Sequence, residues 1–397
     1  MEKATHKKTK AHNSRLILNT IYNQGEISRA DIARTTGLTR STVSKIVSGL
    51  MAEGLVKEIG QGQSSGGKPP TLLGVNGDAY DIIGIDLASG EFRGAIISLR
   101  GDIKYRQCLS VEGLSGKEAL AVVFELTDQL LGLAKNPVLG IGIGAPGLMN
   151  PEDGIVINAV NLDWQALPMG QILSQRYQLP VSIANDCQVS ALAEYLFGEH
   201  EPSTDLVVVK VGRGVGAGIV LNGAIYHGEG FGAGEIGHVK VEKNGVLCNC
   251  GNYGCLETKV SSRAIRRIAK IVAREHPDSA LNQNVSKLDD ITLDQIIRAY
   301  QHGDAHVEKI VQELAQDLAK ALSFSVSVLN IQHVVIAGSV SGLGQGLVSL
   351  IDQYLHGSVL TPISENTEIT ISSLGVNIVT LGAAAIILQQ ELGIVSI

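Results

Sequence analysis

Along the first sixty residues, apolar positions recur at helical intervals broken by glycines. Residues 14–23 carry apolar side chains three and four apart, and the pattern breaks at Asn23, Gln24 and Gly25. Ser28 stands at the next helix start. Asp31 lies three residues on, in an acidic version of the capping box, and Ile27 and Ile32 occupy the two staple positions. That helix is expected to end near Gly37. Thr39 caps a third helix, with Leu38 and Val43 as its staple. Val43, Ile46, Val47, Leu50 and Met51 follow the i, i+3, i+4, i+7, i+8 stripe that buries one face. The opposite face carries Arg40, Ser41, Ser44, Lys45 and Ser48. Gly54 stops this helix. Residues 55–58 begin a strand, 60–67 form a glycine- and serine-rich tip, and the run from Lys68 through Pro69 and Pro70 to Leu73 returns. Three short helices and a β-wing are the pattern of a winged helix-turn-helix.

From residue 80 the pattern changes to short strands and longer helices. Residues 80–86, 92–99 and 103–111 read as three strands with turns at 88–90 and 100–102, and 115–134 reads as a helix. Residues 138–147 form a buried strand running into a Gly/Pro loop, 181–186 a further strand, and 187–197 a helix. Residues 206–211 and 216–221 restart the three-strand pattern. Helices are predicted over 261–275, 290–302 and 304–329, and a strand over 334–338 before a Gly/Ser loop. Strands, helix and strand occurring twice predict a duplicated α/β lobe with a cleft between the copies. The expected divisions are 1–70 for the winged helix, 71–190 for the first lobe and 191–397 for the second, with the C-terminal helix returning to the first lobe. Residues 277–288 read as a polar loop without an assigned role.

The chain of 397 residues is 44% hydrophobic and 18% charged, the balance of a globular enzyme or regulator. Its charge is uneven. Residues 1–70 hold 11 Lys and Arg against 5 Asp and Glu, a net of +6, while the rest carries −13. A basic head on an acidic body suits a head that alone meets a polyanion. A basic tail of Lys3, Lys7, Lys8 and Lys10 accounts for four of those positive charges; the others belong to the expected fold. Arg40, Ser41, Ser44 and Lys45 match phosphates and base edges in a major groove, and Lys68 at the wing suits a minor groove. The alternative for this head is a small helical protein-interaction module. One such unit reads only a few base pairs, so a useful DNA site needs a dimer and two half-sites.

The most specific chemistry lies at His238, Cys248, Cys250 and Cys255. One imidazole and three thiols fit a closed four-coordinate Cys3His zinc site, which leaves no position for a catalytic water and is therefore structural. Three reduced cysteines packed in an apolar loop are the plain alternative, and a disulfide is a further one. No secretory signal or 18-residue apolar run is evident, which points to the cytoplasm and against the disulfide.

Several motifs resemble one family. The strand-loop ending in Gly144, Ala145, Pro146 and Gly147, the Asn185 and Asp186 pair, the glycine-rich run from Val211, the run from Gly234 to His238, the cysteine loop through Glu257, and Leu381 to Ala385 are similar to the ROK family of repressors, open reading frames and sugar kinases, over residues 80–390. With the winged helix in front, the chain resembles that family's xylose, glucose and N-acetylglucosamine repressors. The resemblance implies an α/β fold: an N-terminal winged helix-turn-helix followed by a two-lobed actin-like (ribonuclease H-like, sugar kinase/Hsp70/actin) ATPase-type fold. It implies a sugar held by Gly147, Asn185, Asp186, Glu235, His238 and Glu257, with Asp186 at the position of the kinase base. The phosphate side departs from the kinase pattern. Where the kinases have Asp-x-Gly-Gly-Thr, this chain has Asp86, Leu87, Ala88, Ser89, Gly90 and Glu91, and only part of the adenosine loop survives near Gly338. Side chains and a carboxylate where bare backbone meets phosphate disfavour ATP. The expectation is therefore a non-enzymatic, sugar-responsive repressor with no catalytic residue. Its expected partners are operator DNA, a sugar effector and copies of itself as a homodimer or tetramer. A sugar kinase with an added head, and a repressor controlled by a sugar-transport protein, are the rivals.

Overall fold

In a computed structural model, residues 6–63, 69–88, 90–199, 205–283 and 287–395 are described. Lys68, Ser89, the wing tip at 64–67 and part of the 277–288 loop lie outside them.

The head begins with α1 (His6–Gln24), which starts eight residues before the apolar pattern does. Its early residues Lys8, Thr9 and Lys10 are exposed, so a helix there leaves no apolar stripe to read. β1 (Ile27–Ser28), α2 (Arg29–Thr36) and α3 (Arg40–Ala52) follow. Ser28 caps α2: its hydroxyl accepts the Asp31 N–H and donates to the Asp31 carboxylate at 2.6 Å. Thr39 caps α3 by accepting the Thr42 N–H. Val43, Ile46, Val47 and Leu50 are buried, as the stripe predicts, while Met51 is half-buried. β2 (Val56–Gln61) and β3 (Thr71–Val75) form the wing, antiparallel with an irregularity between Glu58 and Gly60. β1 adds to β3, giving the order β1-β3-β2. Two residues are too few to show a period, so β1 was not predicted.

β4 (Asp81–Asp86), β5 (Glu91–Ser98), β6 (Ile103–Ser110), α4 (Gly116–Leu133) and β7 (Val138–Ala145) occupy the predicted positions. β8 (Leu148–Asn150), β9 (Ile155–Ala159) and β10 (Trp164–Leu167) make a small separate sheet, and α5 (Met169–Tyr177) leads to β11 (Val181–Asn185) and α6 (Asp186–Phe197). The main sheet has the order β11-β7-β4-β5-β6, parallel across its first three strands and antiparallel across its last three.

β12 (Leu206–Val211), β13 (Val215–Leu221) and β14 (Ala224–Ile225) open the second half. Then come α7 (Glu257–Val260), α8 (Ser262–Glu275), α9 (Leu293–Gln301), α10 (Ala305–Leu329), β15 (His333–Ala337), α11 (Gln345–His356), α12 (Thr361–Ser364) and β16 (Glu368–Ile371). Their sheet runs β14-β13-β12-β15-β16, again three antiparallel strands continued by parallel ones. The two sheets share one plan, which is the duplication that the strand pattern predicts. α13 (Ile378–Ile387) comes last. The chain forms two compact units, one of the described residues through Val189 together with those from Val379 onward, the other of 190–199 and 205–378. Each has its own apolar core.

α13 belongs to the first unit and lies against β4 and β7. A Cβ at Gly84 would come within 2.2 Å of the Thr380 carbonyl oxygen, and one at Gly142 within 1.8 Å of that of Ala383. The window Gly375–Leu392 is long and apolar enough to cross a membrane, but most of it is buried inside the protein. Gly142→Ala should therefore displace α13 and cost about 1–3 kcal/mol or more. Gly132→Ala, where a Cβ meets nothing within 4 Å on α4, should stabilise by up to about 1 kcal/mol. Thermal unfolding of the two variants checks this; equal midpoints would contradict the seating of α13.

Candidate effector and metal sites

The helix predicted to read DNA presents the expected face. Arg40, Ser41, Ser44 and Lys45 are all exposed on α3, opposite its buried stripe. Arg40 lies in the first helical turn, directly after the Thr39 cap. Lys68 lies outside the described residues.

In the second unit, the run from Gly234 to His238 lies flat on β13. A Cβ at Gly237 would sit 2.0 Å from the Val215 carbonyl oxygen. The cysteine loop is a tight hairpin: Cys248 N–H donates to the Asn252 carbonyl, Leu247 pairs with Tyr253, and Lys240 pairs with Cys255. Gly254, at φ 75°, leaves room for the Glu242 carbonyl, 1.9 Å from where a Cβ would be. The result is that one ligand atom each from His238, Cys248, Cys250 and Cys255 lies within 4.8 Å of all the others. Cys248 Sγ is 3.6 Å from His238 Nδ1, and Cys250 Sγ is 3.6 Å from Cys255 Sγ. A tetrahedral ion with metal–sulfur bonds of about 2.3 Å and a metal–nitrogen bond of about 2.0 Å has edges of roughly 3.5–3.8 Å, so these spacings fit one. None of the five cysteines is in a disulfide.

Without an ion, the loop favours the neutral thiol at two of its three cysteines. Burial pushes the Cys255 thiol up to about 12, and its neighbours Cys250 and Cys248 add to the shift. Burial likewise raises Cys248. The backbone N–H of Asn252 is the main cause that brings Cys250 down to about 7. By itself the loop readily accommodates one thiolate, whereas three would need a positive ion among them.

His238 Nε2 is turned away from the thiols and lies 3.7 Å from Glu235 Oε2, too far for a direct hydrogen bond. Glu257 begins α7, and its Oε2 accepts the Val215 N–H at 3.1 Å while Oε1 lies 3.6 Å from Arg263 Nη2. Val215 thus braces both groups, through its N–H to Glu257 and its carbonyl under Gly237. In the first unit, Asn185 Oδ1 accepts the N–H groups of Cys187 and Gln188 at 2.8 and 3.3 Å, capping α6, and Asn185 Nδ2 donates to the Gly147 carbonyl at 2.9 Å. Asn185 is therefore a helix cap whose second amide hydrogen is left for other contacts. Asp186 stands in the first turn of the same helix. The structure thus groups Gly147, Asn185 and Asp186 in one unit and Glu235, His238 and Glu257 in the other.

Arg93 is a residue the sequence reading missed. Its Nη2 and Nε lie 2.6 and 2.7 Å from Glu91 Oε1, and its Nη1 lies 3.9 Å from buried Asp86 Oδ2. The turn that carries phosphate-binding glycines in kinases is here crossed by a Glu91–Arg93–Asp86 ion network. The negative charge expected of Glu91 is thereby compensated. Another group, His276, Asp278 and His306, also falls within 4.8 Å. Its two imidazoles stack at 3.8 Å with planes 17° apart, so one ion cannot lie in both ring planes.

A DNA-reading winged helix on a duplicated α/β body with a His/Cys3 loop defines the class of protein. Residues 82–390 match the ROK family and residues 13–63 the MarR family. The chain belongs to the ROK family. It is 32% identical to a xylose repressor of Caldicellulosiruptor bescii over 391 residues, 98% of each chain. Among solved structures it resembles a ROK family transcriptional regulator, a homolog of the Escherichia coli Mlc protein, with a TM-score of 0.83, 27% identity and 97% and 96% of the two chains covered. It also resembles a ROK family glucokinase from Streptomyces griseus in complex with glucose and AMPPNP, with a TM-score of 0.70, 26% identity and 77% and 98% covered. The segment without counterpart in the glucokinase leaves room for the head.

The His/Cys3 geometry predicts that metal-free protein takes up one equivalent of cobalt(II) with the strong visible absorption of a tetrahedral thiolate site. Cys255→Ser should weaken uptake by at least about tenfold. Six-coordinate spectra, or uptake unchanged by Cys255→Ser, would contradict a single site at these four residues.

Proposed function

We propose that this chain is a sugar-responsive DNA-binding transcriptional repressor of carbohydrate-metabolism genes. The observation that carries it is the pairing of an exposed Arg40, Ser41, Ser44 and Lys45 face with a body that keeps sugar-type side chains while Arg93 crosses the phosphate turn. The repressor and regulator names borne by relatives that match along the whole chain support the same reading.

In this reading residues 1–70 bind operator DNA through Arg40, Ser41, Ser44, Lys45 and Lys68. Residues 71–190 and 191–397 are the two lobes. An effector sugar is held by Gly147, Asn185, Asp186, Glu235, His238 and Glu257. Asp186 accepts a hydrogen bond from a sugar hydroxyl and has no phosphoryl donor to serve. The 3.7 Å gap between His238 Nε2 and Glu235 Oε2 suits one hydroxyl that accepts from the imidazole and donates to the carboxylate. The metal is zinc, held by His238 Nδ1, Cys248, Cys250 and Cys255; it fixes the ring orientation and leaves no open position for catalysis. The protein acts in the cytoplasm as a homodimer or tetramer, since two half-sites need two heads.

Thermal unfolding against D-xylose, D-glucose, N-acetyl-D-glucosamine and their phosphates tests the effector. One sugar at about 100 times its dissociation constant should stabilise by roughly 2.7 kcal/mol, and Glu235→Gln should remove most of that. A flat panel would move the reading to control by a sugar-transport protein, and sugar-dependent ATP turnover lost in Asp186→Asn would move it to a kinase. For the head, Lys45→Ala should weaken DNA binding across sequences and reduce the salt slope by about one. An unchanged salt slope in gel-shift titrations would remove Lys45 from the interface.

A further inference from the structure

Two asparagines one turn apart on α1 grip a single residue beyond α13. Val395 donates its backbone N–H to Asn19 Oδ1 at 3.0 Å, and its carbonyl accepts from Asn23 Nδ2 at 2.9 Å. Asn23 Nδ2 also lies 3.2 Å from Asn19 Oδ1, tying the two side chains together. Both backbone polar groups of Val395 are thus met by side chains, as a neighbouring β-strand would meet them. Asn19 is only 5% exposed on α1. A buried amide there is costly unless it is hydrogen-bonded, so its partner is specific. Ile394 is fully buried, and Gly393, at φ 68°, turns the chain against the Arg15 side chain of α1. The head also meets the first lobe where Arg100 Nη1 donates to the Tyr22 carbonyl and its guanidinium lies 4.5 Å from the Tyr22 ring centre.

The other end of this segment leads to α6. A Cβ at Gly382 on α13 would lie 1.9 Å from the Val189 carbonyl oxygen on α6, so the two helices touch backbone to backbone. Among the described residues, the chain passes between its two units at Val189 and Ser190 and again at Ile378 and Val379. Both crossings therefore lie on this pair of helices. Asp186 opens α6, and α13 runs on through the turn Leu388–Leu392 to the residue that Asn19 and Asn23 hold.

We propose that α6, α13 and the Val395 clasp form the mechanical connection between the effector site and the DNA-reading head, with Asn19 and Asn23 as its positioning residues. The connection rests on the sugar-responsive reading for the identity of the effector only. A displacement of α6 is poorly absorbed at Gly382, where the Val189 carbonyl fills the place of a side chain. It moves α13 as a body and so pulls on α1 through the clasp.

Hydrogen exchange tests this on the full-length protein, free and saturated with a duplex that it selects from random-sequence DNA. DNA binding in the wild type should slow exchange of the α13 amides at least about tenfold. In the Asn19→Ala/Asn23→Ala variant, with DNA still saturating, that slowing should vanish. The single variant Asn23→Asp keeps the shape, removes the donor to Val395, and should show the same loss if the double variant does not fold. Wild-type α13 amides indifferent to DNA, or a slowing that survives in the folded variants, would overturn the clasp. A protein whose α13 responds to DNA but which no sugar releases from DNA would keep the clasp and lose the sugar reading.

Discussion

Around α13 the first unit is built by backbone meeting backbone. The carbonyls of Thr380, Ala383 and Val189 occupy the places where side chains of Gly84, Gly142 and Gly382 would otherwise stand. Such contacts leave no soft layer, and a closely packed interface switches between arrangements instead of deforming smoothly. This explains why the helix core is written in alanine from 383 to 385 and why glycine recurs in the central strands. It also makes α13 a strut, seated on the sheet, touching α6 and continuous with the residue held by α1.

The second unit depends on a different constraint. Val215 uses its N–H to fix Glu257 and lets its carbonyl lie under Gly237, so the segment carrying Glu235 and His238 and the one carrying Glu257 share one strand as a base. The cysteine hairpin then brings three thiols around His238 Nδ1. Burial works against three thiolates there, and a divalent ion is the natural counter-charge. A metal held through Nδ1 would leave Nε2 facing Glu235. A metal in the loop would thereby set the hydrogen-bonding direction of a residue proposed to touch the effector.

Much of this was legible in the sequence because it is local. The Ser28 and Thr39 caps, the buried stripe of α3 and the repeated strand pattern all act over a few residues, and the His/Cys3 spacing is itself chemical information. What escaped was non-local or patternless. Lys8, Thr9 and Lys10 near the start of α1 are exposed and leave no stripe. β1 and the short strands β8 to β10 are too brief for a period. Arg93 neutralises Glu91 only through its placement on β5, and the sequence reading counted the carboxylate alone. For Asn185 the sequence allows a plain helix cap as well as a sugar ligand, and its side chain does cap α6; only its hold on Gly147 is non-local. The Asn23–Val395 contact spans 372 positions and joins residues that no motif relates.

The account comes down to reciprocal linkage: an effector that favours one state of the body must change DNA affinity, and DNA must change effector affinity by the same factor. The direct measurement is fluorescence anisotropy of a labelled operator duplex titrated with full-length, zinc-loaded protein, with and without the sugar that stabilises it. The account predicts that the sugar shifts the DNA dissociation constant by at least about tenfold, roughly 1.4 kcal/mol of coupling. The same dissociation constant with and without a sugar that demonstrably binds would contradict it.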